Sequence, residues 1–418
     1  MYSVANRTLS GAPRETPLQK VRFRMLSFSD LPLSAVLQQR LTAAQFTTPT
    51  PVQAAAIPPA MRGDDVLATA QTGTGKTLSF LIPIIERLLT RPSRDLEALV
   101  LVPTRELAMQ VHAQYESLRG NLPPAALVMG GVPEGQQIHA LRSGARLAVA
   151  TPGRLEDFLG RRLANLGKVQ ILVLDESDRM LDMGFLPAIR RIVSVLPSRR
   201  QTLCYSATLE ASVAALVHDY MRNPVRIELG STLKPIDSVE LQAFEVAATD
   251  KPDALRSLLH LEPGRTLVFV RTKRGAERLA KSLSRDGIAA AMIHGDRSQA
   301  QRTGALSGFE QGRFRVLVAT DVASRGLHIQ DVAHVINYDL PKLPEDFIHR
   351  VGRTGRAGAR GRASSLVCGT DSIELRTIER ALKLSIERKR VTRGAAVSVC
   401  RNSLVTRTLT AMPGEQFA

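Results

Sequence analysis

From Leu26 to about Leu229, short aliphatic or β-branched runs alternate with longer stretches whose apolar residues recur at helical spacing. Runs at Val66 to Ala70, Ala98 to Val102, Ala126 to Met129, Leu147 to Ala150, Ile171 to Leu174 and Gln201 to Tyr205 are each one buried strand long, and each precedes an amphipathic stretch. Uninterrupted apolar strands alternating with helices belong to parallel sheets, whose crossover helices cover both faces. A last run, Val225 to Leu229, follows the helix breakers Asn223 and Pro224, and Gly230 to Ser238 has the Gly, Ser, Thr and Pro content of a linker. The pattern then repeats, with runs at Leu267 to Val270, Ala290 to Ile293, Val316 to Ala319, His334 to Tyr338 and Ser364 to Val367. Asp371 to Arg388 predicts one amphipathic helix with Ile373, Ile378, Leu382 and Ile386 on its apolar side. The expected organisation is therefore a basic arm over 1–27, an α/β domain over 28–229, a linker over 230–238 and a second α/β domain over 239–388. A basic mobile tail is expected over 389–418, where Lys389, Arg390, Arg393, Arg401 and Arg407 stand among few large apolar residues. Two similar units on a short linker imply a cleft between them.

Composition narrows the partners. The chain has 418 residues, 44% hydrophobic and 23% charged, enough for two cores and far from a disordered composition. No apolar stretch approaches the roughly 18 residues of a membrane-spanning helix, so a helical membrane protein is excluded. Arg7, Arg14, Lys20, Arg22 and Arg24 precede Met25 without the apolar core of a signal peptide, so secretion is not expected. A solvated arm, or a start at Met25, is expected there in preference to a transit peptide. Cys204, Cys368 and Cys400 are far apart and lack ligand spacing, which points away from disulfides and zinc and towards a reducing, cytoplasmic setting. Fifty-six Lys and Arg against 39 Asp and Glu leave a net charge of +17, which favours a polyanionic partner through counterion release.

The sharpest chemical signal is Ala70-Gln71-Thr72-Gly73-Thr74-Gly75-Lys76-Thr77, placed after a predicted strand and opening a predicted helix. Glycines there let successive amides face one anion, Lys76 can reach outer phosphates, Thr77 can offer a hydroxyl to Mg²⁺, and the helix N-terminus favours negative charge. About a hundred residues on, the strand Ile171 to Leu174 runs straight into Asp175-Glu176-Ser177-Asp178. A buried strand thus delivers adjacent carboxylates to a sheet edge, Asp175 placed for a water-bound Mg²⁺ and Glu176 for the attacking water of phosphoryl transfer. An acidic helix cap is the alternative for this segment alone, and the phosphate loop upstream favours the metal reading.

These residues resemble the DEAD-box family of ATP-dependent RNA helicases of superfamily 2, and its bacterial RhlE-like branch in particular, over roughly Phe28 to Ile386. The resemblance implies two RecA-like α/β domains, each a mainly parallel sheet flanked by helices. It implies an RNA-stimulated ATPase that binds ATP and Mg²⁺ and locally unwinds short RNA duplexes, with ribosome-assembly or RNA-decay proteins as candidate partners. Phe46 and Gln53 resemble the family's adenine-contacting residues, and Gln71, Thr72, Gly73, Thr74, Gly75, Lys76, Thr77 and Asp175 its phosphate and metal site. Pro103, Thr104, Arg105, Gly131, Thr151, Gly153 and Arg154 resemble the RNA-contacting positions of the first domain. Gly295, Gln299, Arg302 and Thr320 resemble those of the second. Ser206, Thr208, Asp178, Asp321, His349 and Arg350 resemble the positions that couple nucleotide to RNA, while Arg353 and Arg356 resemble arginine fingers on the γ-phosphate.

Three residues depart from the family's pattern. Gln45 replaces a Gly before Phe46, Ser177 replaces an Ala in the carboxylate motif, and His328 stands where an Asp usually contacts the ribose. Gln45 is expected to tolerate the local backbone less well than Gly. Ser177 is expected to preserve hydrolysis and shift coupling. Rivals to the helicase reading are an ATP-dependent RNA clamp with little unwinding, and a DNA helicase or remodelling ATPase, since phosphate contacts alone do not distinguish the nucleic acids.

Overall fold

The computed structural model describes residues 27–70, 74–209, 211–229, 239–321, 332–355, 361–369 and 371–390. The first domain opens with α1 (Ala35–Ala43) and α2 (Pro51–Arg62), then runs β1 (Val66–Thr69), α3 (Lys76–Leu89), β2 (Ala98–Leu101) and α4 (Arg105–Leu118). It continues with β3 (Ala126–Val128), α5 (Glu134–Arg142), β4 (Leu147–Ala150), α6 (Pro152–Gly160) and β5 (Ile171–Leu174). It closes with α7 (Ser177–Asp182), α8 (Leu186–Ser194), β6 (Gln201–Ser206), α9 (Ala211–Tyr220) and β7 (Val225–Glu228). Every sheet pairing is parallel, in the order β3-β4-β2-β5-β6-β1-β7. Strands β1, β2, β4 and β5 are buried along their whole length, as their unbroken apolar sequences require.

The second domain begins with β8 (Val239–Glu245), α10 (Lys251–Leu261), β9 (Thr266–Phe269), α11 (Lys273–Arg285) and β10 (Ala290–Ile293). Then come α12 (Gln299–Glu310), β11 (Val316–Ala319), β12 (His334–Asn337), α13 (Pro344–Val351), β13 (Gly361–Val367), α14 (Asp371–Leu382) and β14 (Glu387–Arg390). Its seven parallel strands lie in the order β10-β11-β9-β12-β13-β8-β14. Two apolar clusters pack on the opposite faces of each sheet. No helix among the described residues is long and apolar enough to cross a membrane.

Two expectations need correction at the C-terminal end. The helix predicted over 371–388 stops at Leu382, because Lys383 turns left-handed (φ 53°) and the chain re-enters the sheet. Ile373 is 67% exposed, and Leu375 takes the core position beside Ile378 and Leu382. Lys389 and Arg390, expected in a mobile tail, belong to β14, which pairs parallel with β8 from Glu387 to Arg390. The linker 230–238 and residues 391–418 lie outside the described residues.

Candidate nucleotide and polyanion site

Parallel strands place every strand-to-helix turn of a domain at one edge, and the strand order divides that edge of the first sheet in two. Neighbours β5, β6 and β1 bring together Asp175, Ser206 and the turn that leads into Lys76, with Thr69 in register with Ser206. Neighbours β3, β4 and β2 bring together Gly130 and Gly131, Thr151 to Arg154, and Pro103 to Arg105. One half carries the residues expected at a nucleotide, the other those expected at a polyanion.

In the nucleotide half, Gly75 adopts φ 89°, and a Cβ there would lie 2.5 Å from Gln53 Nε2. Gln53 is almost fully buried, donates to the Gly75 carbonyl (2.9 Å) and accepts from the Thr50 amide (2.8 Å). These two bonds brace α2 against the phosphate-loop turn. Phe46 is half-buried against the core, and Gln45 before it holds φ 61°, the left-handed backbone that a Gly would adopt freely. Lys76 is buried with Nζ donating to the Ala70 carbonyl (2.9 Å), while Thr74 and Thr77 are half-buried. Gln71, Thr72 and Gly73 lie outside the described residues.

The three carboxylates have different surroundings. Burial, only partly opposed by Lys76, pushes the Asp175 carboxyl up to about 7. Burial would raise Glu176 as well, but the charges of Arg179, Lys76 and Arg353 hold it down to about 2, with Arg179 Nη1 only 2.9 Å away. Glu176 sits at φ 50°, ψ 51°, a strained backbone of the kind found at working sites. Asp178 turns the other way, and its Oδ2 accepts from the amides of Ala207 (2.8 Å) and Thr208 (2.9 Å) and from the Thr208 hydroxyl (3.3 Å). Ser177 is fully buried, donating to the Tyr205 carbonyl (3.2 Å) and accepting from the Cys204 thiol (3.3 Å). Both residues thus fasten the start of α7 to β6. Asp175, whose burial Lys76 offsets only in part, is a carboxylate that suits a divalent cation.

The second domain faces this half. Arg353 is buried, and its charge contributes to the low value of Glu176. Desolvation, then the charge of Arg179, pushes the His349 imidazole well below its usual range, with Asp178, Glu176 and Arg353 also near. Arg350 is a fully buried anchor within its own domain. It holds Asp321 bidentately (2.6 and 2.7 Å), donates to Asn337 Oδ1 (3.0 Å) and the Asp339 carbonyl (2.7 Å), and stacks on Phe269. Arg356 and His328 lie outside the described residues.

In the polyanion half, the Arg105 guanidinium lies flat on Gly130 and Gly131, so a Cβ at Gly131 (φ 78°) would collide with it. Burial and then Arg302 lower the Arg105 pKa, with Glu106 opposing and Arg154 adding. Arg105 and Arg302 share Glu106, while Arg154 lies 3.7 Å from Glu134, so the cluster is rich in guanidiniums that suit a phosphate. Thr104 caps α4 by accepting from the Leu107 amide (3.3 Å), and Thr151 precedes α6 with Gly153 exposed. Pro103 and Thr320 are buried at their strand ends, and Gly295 is exposed against Lys273.

Gln299 and Arg302, expected to face RNA, are buried at the domain interface. Gln299 Nε2 donates to Glu106 Oε1 (3.1 Å), and Arg302 Nε lies 2.8 Å from the same oxygen. Sequence reasoning missed Glu106 and Arg179 as functional residues. The signal for Arg179 was its position three after Glu176 on one helix. Glu106 carried no such signal, since its burial comes from Gln299 and Arg302 of the second domain.

The sequence matches the family described as DEAD/DEAH box helicase over residues 50–216 and that described as helicase conserved C-terminal domain over residues 250–358. It is 42% identical over 368 residues to DEAD-box ATP-dependent RNA helicase 30 of Arabidopsis thaliana, covering 85% of this chain and 61% of that protein. To DEAD-box ATP-dependent RNA helicase CshA of Bacillus subtilis it is 40% identical over 365 residues, covering 87% of this chain and 74% of the relative. Among solved structures, S. cerevisiae Dbp5 bound to RNA and ADP BeF3 matches with TM-score 0.78 at 31% identity, covering 87% of this chain and 95% of that one. A DEAD box protein from the hyperthermophile Methanococcus jannaschii is 39% identical, yet its TM-score is 0.51 with 87% of this chain and 99% of that chain covered.

Proposed function

The chain belongs to the DEAD-box helicase family, and from that premise we propose that it is an ATP-dependent RNA helicase that couples ATP hydrolysis to local opening of short RNA duplexes. The observation that carries this reading is the approach of Arg353 from the second domain to the Glu176 site of the first, which leaves neither domain complete alone. The likeness in overall arrangement to Dbp5 with RNA and ADP BeF3 supports a closed state of the same kind. The chain's motifs favour the RhlE-like branch.

In this reading Lys76 and the amides at the start of α3 hold the outer phosphates, and Thr77 and Asp175 hold Mg²⁺, which when bound neutralises charge on the phosphates. Glu176 stays ionised throughout the working pH range and orients the attacking water. Its basicity is low while Arg179 holds it, and it rises when that pair loosens. Arg353, joined by Arg356, stabilises charge on the transferring phosphoryl group. Asp178 couples this half to the end of β6 through Ala207 and Thr208, which follow Ser206. Arg105, Arg154 and the glycine turn take the sugar-phosphate backbone, with Gly295 and Thr320 opposite, so RNA binding and ATP turnover share one closure. Ribosome-assembly or RNA-decay proteins are the partner classes such an activity serves, in a cytoplasmic setting.

The test is steady-state ATP hydrolysis with and without single-stranded RNA, beside a DNA of the same sequence and the Glu176→Gln variant. The helicase reading predicts strong RNA stimulation, weaker DNA stimulation and loss in the variant. ATP-dependent RNA retention without turnover would support the clamp, and equal stimulation by DNA the remodelling ATPase.

A further inference from the structure

The exposed face of α11 carries Arg274, Arg278, Lys281 and Arg285, spaced by four, three and four residues. At about 100° per residue they fall within about 60° of arc, and the stripe runs about 16 Å along the helix. The buried face, Ala276, Leu279, Ala280 and Leu283, points the other way. None of the four cations has an ion-pair partner among the described residues, and three of the four nearby acids are held by other cations. Asp286 and Asp253 hold Arg256 (2.7 and 2.6 Å), Asp296 holds Lys273, and Glu277 faces His294 (3.5 Å). Like charges four apart destabilise a helix, so an uncompensated stripe is unfavourable until an anion covers it.

The stripe begins one residue after Lys273, which lies against Gly295, a position assigned above to the RNA face. It contains no apolar residue of the kind that anchors a protein partner. We propose that α11 is a second RNA-backbone track, on which Arg274, Arg278, Lys281 and Arg285 take the phosphates of a single strand leaving the cleft. This rests on the helicase reading and extends its RNA path beyond the residues that the family's motifs cover. The contacts are to phosphate, so the track adds length-dependent affinity without sequence preference.

The experiment measures RNA affinity by fluorescence anisotropy against KCl concentration, with a non-hydrolysable ATP analogue present. It compares a short RNA that fills only the cleft with the same RNA extended at both ends. The variant joins Arg274→Gln, Arg278→Gln, Lys281→Gln and Arg285→Gln, all at exposed positions, and a thermal melt verifies its fold. For the extended RNA the slope of log K against log salt becomes shallower by about 0.7 for each phosphate released, and affinity at low salt falls. Affinity for the short RNA stays unchanged. An unchanged slope on the extended RNA overturns the proposal. Polyglutamate bound by the wild type and lost in the variant, with RNA slopes unchanged, overturns it in favour of an acidic protein. Failure of the wild type to bind either RNA overturns the parent reading and the track with it.

Discussion

Removing Glu106 should separate RNA binding from domain closure. Glu106 is 2% exposed, on α4 of the first domain, and it meets Gln299 and Arg302 of the second at 3.1 and 2.8 Å. These contacts exist only when the domains are together. A hydrogen bond to a charged group contributes about 1.5–3 kcal/mol, so Glu106→Ala should disfavour the closed state by a factor of about 10 to 150. The domains should melt nearly as before, since each has its own core. Without nucleotide, RNA affinity should hold or rise slightly, because the carboxylate nearest Arg105 and Arg302 has gone. The assay is RNA affinity with and without a non-hydrolysable ATP analogue, and the quantity predicted to fall by that factor is their ratio. An unchanged ratio in Glu106→Ala would refute the assignment of this buried contact to closure.

Other positions give independent checks. Gln45→Gly relieves a φ of 61° and should raise stability to urea by about 0.5–1 kcal/mol, and a loss of stability would contradict the strain. Ser177→Ala removes the hydroxyl shared by Tyr205 and Cys204, so it should cost about 1 kcal/mol of stability and retain ATP hydrolysis, as denaturation and turnover assays would measure. Asp175, pushed up to about 7, favours its protonated form in the fold below that pH, and a bound divalent cation requires the ionised form. Magnesium-nucleotide affinity should therefore rise with pH between about 6 and 8, with proton release on binding, whereas Asp175→Asn should flatten that dependence.

Strands that are apolar throughout were legible because burial on both faces leaves no polar alternation, and the phosphate loop and carboxylates were legible because each follows such a strand. The strand Glu387–Arg390 was not, since a sheet-edge strand of Glu, Arg, Lys and Arg carries no apolar signal and its partner β8 lies about 145 residues back in the chain. The break after Leu382 depends on one left-handed lysine, which periodicity does not register. Gln299 and Arg302 were expected at RNA through the resemblance to the family's second-domain motifs. Their burial against Glu106 depends on how two domains meet, and no local pattern encodes that. The bonds of Gln53 to Thr50 and Gly75 form only once α2 packs on the loop, so they too are absent from any local pattern. The strain expected at Gln45, by contrast, is present as a positive φ.

The central claim is that the site is completed by joining two domains, with Arg353 brought to Glu176 when nucleotide and RNA are both bound. Energy transfer between one dye on each domain measures this most directly. The account predicts a high-transfer state only with ATP and RNA together, lost in Glu106→Ala. Closure with ATP alone, or no change with both ligands, would contradict it.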